Sequence, residues 1–403
     1  MRAQGYVGGD LHAHGPAPAD AALQMRAEDL NAMNLLQPYG NTDGAITGKP
    51  DETSTPGYEL WLGQETADWH MGHLTFAGLK KSIPGYSIAG GSLDQIQSNP
   101  HIDLLSSARA ARQQGALVSI AHFENLPGGS PVAVAVGLLE AIEMPTWSDP
   151  MQLPAHLDPW EKSGMPTAEL APMRGADLYY QLLNAGFRLP LAAGTDKFGQ
   201  DIPVGGNRVY VLTKGGQDFA AWLAGIRAGK GFVTNGPILQ LEVDGHLPGD
   251  VVEFQGAKSV KARVIARSIL PFTTLEILLN GRTVGHKMVV IQNNPPVDGV
   301  YSMRLEATVQ LDKSGWLAAR AFSDPDRTPR LVARECSLFS HTSPVYFLQD
   351  GRNVREEASV VYLRKYVKGF MNWLGTKPAF DNEKNRAAVQ RDVEEALRYY
   401  EGL

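Results

Sequence analysis

Gly9-Asp10-Leu11-His12-Ala13-His14 is the stretch on which the reading of this chain turns. Side chains alternate across a strand, so Asp10, His12 and His14 are expected on one side, with Leu11 and Ala13 turned the other way into packing. Two imidazoles and a carboxylate converging at a strand end make half of a metal site. An isolated His-x-His is as readily a surface accident, so the motif needs partners elsewhere in the chain.

The partners follow in order, each at the end of an apolar run. Glu65 follows Leu60-Trp61-Leu62-Gly63-Gln64, and His73 comes eight residues later, in Trp69-His70-Met71-Gly72-His73. His122 ends Ala116-Leu117-Val118-Ser119-Ile120-Ala121, and Asp196 ends Leu189-Pro190-Leu191-Ala192-Ala193-Gly194-Thr195. Short apolar runs without alternation suit strands buried on both faces, as in a parallel sheet. Ligand-type residues at the carboxyl ends of several such strands are how barrel enzymes build active sites. One such ending means little; a set supplying His, Glu, His and Asp is hard to explain as packing.

Composition narrows the alternatives. The 403 residues suffice for two or three domains. A net charge of −6, with no Lys- or Arg-rich run, argues against nucleic acid as a partner, since phosphate binding needs a basic footprint. The single cysteine, Cys336, rules out an internal disulfide and thiolate metal clusters, and it reads as a packed residue. No apolar segment is long enough to span a bilayer, so no membrane partner is expected. No signal peptide precedes the first motif. A first strand starting almost at Met1 is expected of a trimmed chain, or of one lacking an upstream domain, and localisation is not read from it.

Residues 1–238 read as strands alternating with helices. Helical spacing covers 101–114, 168–185 and 219–228, closed by Gly115, Gly186 and Gly229. This alternation implies a parallel sheet with crossovers, open or closed into a barrel. Residues 239–350 change to strand patterning, with turn signals at Asp244-Gly245 and Asn280-Gly281, and read as an all-β, sandwich-like module. Residues 351–403 return to helical spacing as a C-terminal segment. No Gly-x-Ser-x-Gly elbow, P-loop or Gly-x-Gly-x-x-Gly fingerprint is present.

With these residues in place, the chain resembles the PHP (polymerase and histidinol phosphatase) metallohydrolases, and more closely their CehA/McbA branch, named for enzymes that cleave the carbamate carbaryl. The matching segments are the opening Gly9–His14 motif, Gly63-Gln64-Glu65, Gly72-His73, Ala121-His122 and Gly194-Thr195-Asp196. Later matches are Asn207-Arg208-Val209-Tyr210, Phe232-Val233-Thr234-Asn235-Gly236-Pro237 and His341-Thr342-Ser343-Pro344-Val345-Tyr346. The resemblance implies an α/β fold: a distorted (β/α)7 barrel followed by the β module. It implies that His12, His14 and Asp196 hold one metal, that Glu65 bridges, and that His73 and His122 hold a second. Asp10 would hydrogen-bond a ligand histidine and fix its tautomer. Where many of these enzymes carry Thr-Asp-His and a terminal Asp-x-His, this chain has Leu36-Gln37-Pro38 and Asp196-Lys197-Phe198. At most two divalent ions are therefore expected, with zinc, manganese and iron all compatible.

Such a centre generates a hydroxide nucleophile without Ser or Cys and polarises the substrate oxygen. Arg208 and Asn235, each just after a strand end, are candidate oxyanion donors alongside Asp10 in the catalytic set. His70, Glu143 and His341 are candidate substrate contacts, with a structural role as the alternative for each. Trp61, Trp69 and Trp147 suit either an apolar pocket wall or the core. The leading expectation is hydrolysis of an ester-type bond in a small molecule, an aryl carbamate or activated carboxylic ester. Phosphodiester or phosphotriester hydrolysis on the same site is the alternative. A non-catalytic binding protein on a degenerate scaffold is the third reading, and homo-oligomers remain open.

Overall fold

The computed structural model describes residues 1–36, 46–68, 71–83, 100–123, 129–145, 149–153, 173–196, 202–213, 215–323 and 337–402. The first strand, β1 (Tyr6–Ala13), is buried from Val7 onward, as its apolar and small residues require. It leads through α1 (Pro18–Ala27) to β2 (Ala32–Leu36), β3 (Glu59–Asp68) and β4 (Gly72–Ala77). Helix α2 (Leu104–Gln113) is capped by Asp103, whose side chain accepts from the Ser106 N–H. Next come β5 (Leu117–Ile120), α3 (Gly129–Ala135), β6 (Ala141–Glu143), α4 (Gly175–Asn184) and β7 (Leu191–Ala192). Then β8 (Arg208–Leu212), α5 (Phe219–Arg227) and β9 (Gly231–Thr234) complete this part. Of the helix expected over 168–185, residues 168–172 lie outside the described residues.

The sheet corrects the expected (β/α)7 barrel. β1, β2 and β3 run parallel, as do β5, β6 and β7, but β3–β4, β4–β5, β1–β8 and β8–β9 are antiparallel. One physical reason is chain length. Only residues 69–71 link β3 to β4, whereas a parallel partner needs a crossover of a dozen or more residues. Glu65, expected at a strand end, lies within β3, which runs three residues further to Asp68.

Among the described residues the second part adds nine strands, most of which extend the same sheet. They are β10 (Ile238–Val243), β11 (Val251–Phe254), β12 (Lys258–Ser268), β13 (Thr274–Leu279), β14 (Arg282–Met288), β15 (Tyr301–Leu311), β16 (Gly315–Phe322), β17 (Phe339–Thr342) and β18 (Val345–Gln349). β9 pairs antiparallel with β17, setting Val233 against His341. A single mixed, curled sheet therefore follows the order β11-β18-β16-β17-β9-β8-β1-β2-β3-β4-β5-β6-β7, with β13 joined to β16 and β14 to β13. The boundary read at 238 divides segments of chain, not sheets. A separate antiparallel sheet, β10-β12-β15, alternates as the sequence does: Val260, Ala262, Val264 and Ala266 are buried while Lys261 and Arg263 face out. It shares a core with Ile277, Leu317 and Phe347.

The C-terminal segment forms α6 (Glu357–Gly375) and α7 (Glu383–Gly402). It is built into the first part rather than trailing from it. Val389, Val393, Ala396 and Tyr400 enter the main core, and the Tyr400 hydroxyl donates to the Pro131 carbonyl at 2.9 Å. The linker between the two helices exchanges backbone hydrogen bonds with His101 through Ala379 and Asp381. His101 Nδ1 in turn lies 3.1 Å from Asp68, the last residue of β3. Among the described residues no helix is long and apolar enough to cross a membrane.

The curl brings the chain after β7 back beside β1. Leu11 N–H donates to the Ala193 carbonyl (3.1 Å), and Asp196 N–H donates to the His12 carbonyl (2.7 Å). The approach demands glycine at 194, where a Cβ would lie 2.2 Å from His12 Cβ and 2.6 Å from its backbone nitrogen. Gly194→Ala is expected to destabilise the fold by about 1–3 kcal/mol, the usual cost of overpacking, read as a lower urea midpoint at unchanged slope. An unchanged midpoint would show that the two segments separate freely.

Candidate metal centre

Six side chains named from the sequence converge where β1 meets the end of β7: His12, His14, Glu65, His73, His122 and Asp196. His12 Nε2 lies 3.0 Å from His14 Nε2, 3.4 Å from Asp196 Oδ1 and 3.6 Å from Glu65 Oε2. His14 Nε2 is 3.1 Å from the same Glu65 oxygen and 3.8 Å from Asp196 Oδ1. The opposite oxygens face the other two imidazoles. Glu65 Oε1 is 3.1 Å from His73 Nδ1 and 3.7 Å from His122 Nε2, while Asp196 Oδ2 is 3.1 Å from His122 Nε2. Glu65 thus spans two histidine pairs, His12 with His14 and His73 with His122, while Asp196 spans His12 and His14 on one side and His122 on the other.

These spacings fit divalent cations. Donors about 2.0–2.1 Å from a tetrahedral ion are about 3.3 Å from one another, within the range seen here. Two buried ligand-type atoms, His122 Nε2 and Asp196 Oδ1, make ion-pair approaches but no hydrogen bond of good geometry, a condition that ligation would relieve. His12–Glu65–His122 and His12–His14–Asp196 each gather three ligand atoms closely enough to hold one ion. His122 (φ 44°) and Asp196 (φ 48°) both occupy the left-handed region, which costs a histidine conformational energy.

Burial sets the electrostatics. Glu65, His12, His14 and Asp196 are buried, and only His73 and His122 reach solvent, with 19% and 16% of their side chains exposed. Burial alone would lower the His122 pKa, but the Asp196 carboxylate, with Glu65, overcomes this and pushes it up to about 9. His12 is likewise raised, its desolvation outweighed by Glu65 and Glu143. Burial works against ionised Glu65 and Asp196 as well, yet the neighbouring imidazoles hold both below the ordinary carboxylate range.

The remaining residues named from the sequence lie elsewhere or act differently. Asp10 contacts no imidazole ring. Its carboxylate accepts from the His12 and Thr195 N–H groups at 3.0 Å, from Gly205 N–H at 2.7 Å and from the Thr195 hydroxyl, so it ties β1 to the loop after Asp196. Burial nonetheless raises its pKa. The atom that meets a ligand ring is Glu143 Oε2, 2.9 Å from His12 Nδ1. Glu143 is fully buried and is an internal partner rather than a substrate contact. Its position at the end of the apolar run Ala141-Ile142, like that of the ligands, was the available signal.

Arg208 is no oxyanion donor, because its guanidinium binds the Glu28 carbonyl and carboxylate and the Gly205 carbonyl. Asn235 is turned to the segment before β17: its amide donates to the Ser337 carbonyl (2.9 Å) and accepts from Phe339 N–H (2.7 Å). His341 is buried, with Nδ1–H on the Thr342 carbonyl and Nε2 accepting from the Tyr180 hydroxyl at 2.8 Å. Burial drives its pKa down to about 3, so it is neutral and structural. Trp61 stacks on Phe219 against the core. His70, Trp69, Trp147, Gln37, Pro38, Lys197, Phe198 and Cys336 lie outside the described residues.

No family model matches the chain, and no curated protein matches it. Among solved structures, the crystal structure of PsfC from Pseudomonas syringae PB-5123 is similar over 55% of this chain and 89% of that one, at 15% identity and a TM-score of 0.33. A likeness at that level carries neither fold nor function.

The raised His122 has a consequence for stability without metal. Its contribution is complete below the ordinary imidazole value of 6.5 and is lost as pH rises through about 9. Melting in the presence of chelator is therefore expected at a lower temperature at pH 9.5 than at pH 6. Added zinc, which competes with the same protons, is expected to stabilise more strongly as pH rises over that interval. A pH-independent melting temperature would contradict the charge assignment.

Proposed function

We propose that this chain is a metal-dependent hydrolase of ester-type bonds, an aryl carbamate or activated carboxylic ester, with two divalent ions held by His12, His14, Glu65, His73, His122 and Asp196. The observation that carries the reading is the double span of the two carboxylates: Glu65 has one oxygen toward His12 and His14 and the other toward His73 and His122, and Asp196 has one toward His12 and His14 and the other toward His122. Two groups of donors sharing carboxylates are what a two-ion site requires. The charge balance supports it as well. Glu65, Asp196 and Glu143 are three buried carboxylates among these imidazoles, more negative charge than one divalent ion offsets. The ester preference rests on the resemblance to carbaryl-cleaving metallohydrolases and on the missing ligands for a third ion.

Divalent ions held there supply Lewis acidity toward the substrate carbonyl and toward water. The chain's own part is positional. His73 and His122 form the solvent-reaching side, so the scissile group is met there. Asp10 fixes β1 against the loop carrying Asp196. Arg208, with its guanidinium engaged by Glu28 and Gly205, takes no part in binding the developing oxyanion, and Asn235 is held by Ser337 and Phe339.

The test is release of nitrophenolate from matched carbamate, carboxylic-ester and phosphodiester substrates. Chelation is expected to abolish release from the carboxyl substrates, and zinc, manganese or iron to restore it. His12→Ala is expected to lower kcat/KM by more than the ~10–100-fold that losing an outer hydrogen-bond partner costs. Turnover indifferent to chelation would overturn the metal reading, and a preference for the phosphodiester would overturn the substrate class.

A further inference from the structure

Resting on that metal reading, we propose that Glu143 is a positioning residue of the centre: it holds the Nδ1–H of His12 and so commits His12 Nε2 to the ions. His12 belongs to both ligand groups, so its orientation affects both at once. Its ring is fully buried, and the two ring nitrogens face different surroundings. Nε2 looks onto His14, Glu65 and Asp196. Nδ1 looks away from them, 2.9 Å from Glu143 Oε2 and 3.0 Å from Thr75 Oγ1.

The tautomer follows from the partners. A bare Nδ1 would set its lone pair against a carboxylate oxygen at hydrogen-bond distance, among side chains buried from bulk solvent. With the proton on Nδ1 the same contact is a charge-assisted hydrogen bond. In the neutral ring Nε2 is then the nitrogen with the free pair, and it already faces the other ligands. Glu143 is fixed in turn. Its other oxygen accepts from Ser119 Oγ at 2.6 Å, and the strands β5 and β6 that carry the two residues are paired. The Ser119–Glu143–His12 chain runs entirely through buried atoms. Partners of this kind raise ligand basicity and typically contribute 10–100-fold in metal affinity.

The rival explanation is that Glu143 merely satisfies two buried donors. Glu143→Gln separates the two, because the amide can still accept from Nδ1–H and donate to Ser119 while the charge is lost. Glu143→Leu removes the hydrogen bond altogether. Zinc affinity, measured by competition with a chromophoric chelator, is expected to fall about 10-fold in E143Q and about 100-fold in E143L. Melting of both variants in chelator is expected to fall, because each removes the carboxylate charge facing buried His12, so zinc affinity is read at a temperature where both are fully folded. Parent-like zinc affinity in E143Q and E143L would overturn the proposal and leave the metal reading intact. Weaker binding that disappears when the comparison is confined to fully folded protein would also overturn it, in favour of the rival. Should E143L fail to fold, E143Q alone decides. A parent chain that binds no zinc would overturn the earlier reading and this inference with it.

Discussion

Buried negative charge is the constraint from which the rest of this structure follows. Asp10, Glu65, Glu143 and Asp196 are all excluded from water. Among the described residues none of them forms an ion pair with lysine or arginine; the titratable partners of Glu65, Glu143 and Asp196 are histidines, and Ser119 also donates to Glu143. An isolated carboxylate in such surroundings would lose several kcal/mol of solvation. Asp10 escapes by accepting from backbone and hydroxyl donors. The other three depend on imidazoles that share protons with them, or on cations that take the protons' place. Left-handed backbone at His122 and Asp196, and a glycine pressed against His12, are what the fold accepts to hold that arrangement.

The proposed ligand set was legible because its residue types are rare in apolar runs. His12, His14, His122 and Asp196 each stand at or just beyond the end of a short buried strand, where packing gives no reason for a polar residue. The roles of their neighbours were not legible, because a sequence shows what a residue offers and not what meets it. Arg208 offers donors, but Glu28 and Gly205 take them. Asn235 has both ends of its amide engaged by the segment leading into β17. Asp10 and Glu143 exchange parts for the same reason: the carboxylate nearer in sequence to His12 binds its backbone, and the distant one binds its ring.

The topology was legible only in part. Runs such as Leu117–Ile120 read as buried strands and form them, but burial on both faces does not dictate a parallel partner. The short link between β3 and β4 makes a hairpin, and β5 joins it antiparallel. The change of pattern after Pro237 is real, since β10 begins at Ile238 with alternating burial. It opens a separate sheet of β10, β12 and β15 but does not bound an independent module, because β9 and β17 pair across it, and pairing depends on distant partners that local periodicity cannot name. The C-terminal helices follow the same lesson. Their charged faces are plain in the sequence, whereas the docking of Tyr400 and Val393 into the main core is a property of the assembled chain.

The most direct measurement is a calorimetric titration of zinc into chelator-stripped protein at pH 8, counting ions bound per chain. Two equivalents, with protons released as they bind, are expected if Glu65 and Asp196 bridge two ions among the four imidazoles. No saturable binding, or a single equivalent, would contradict the two-ion centre.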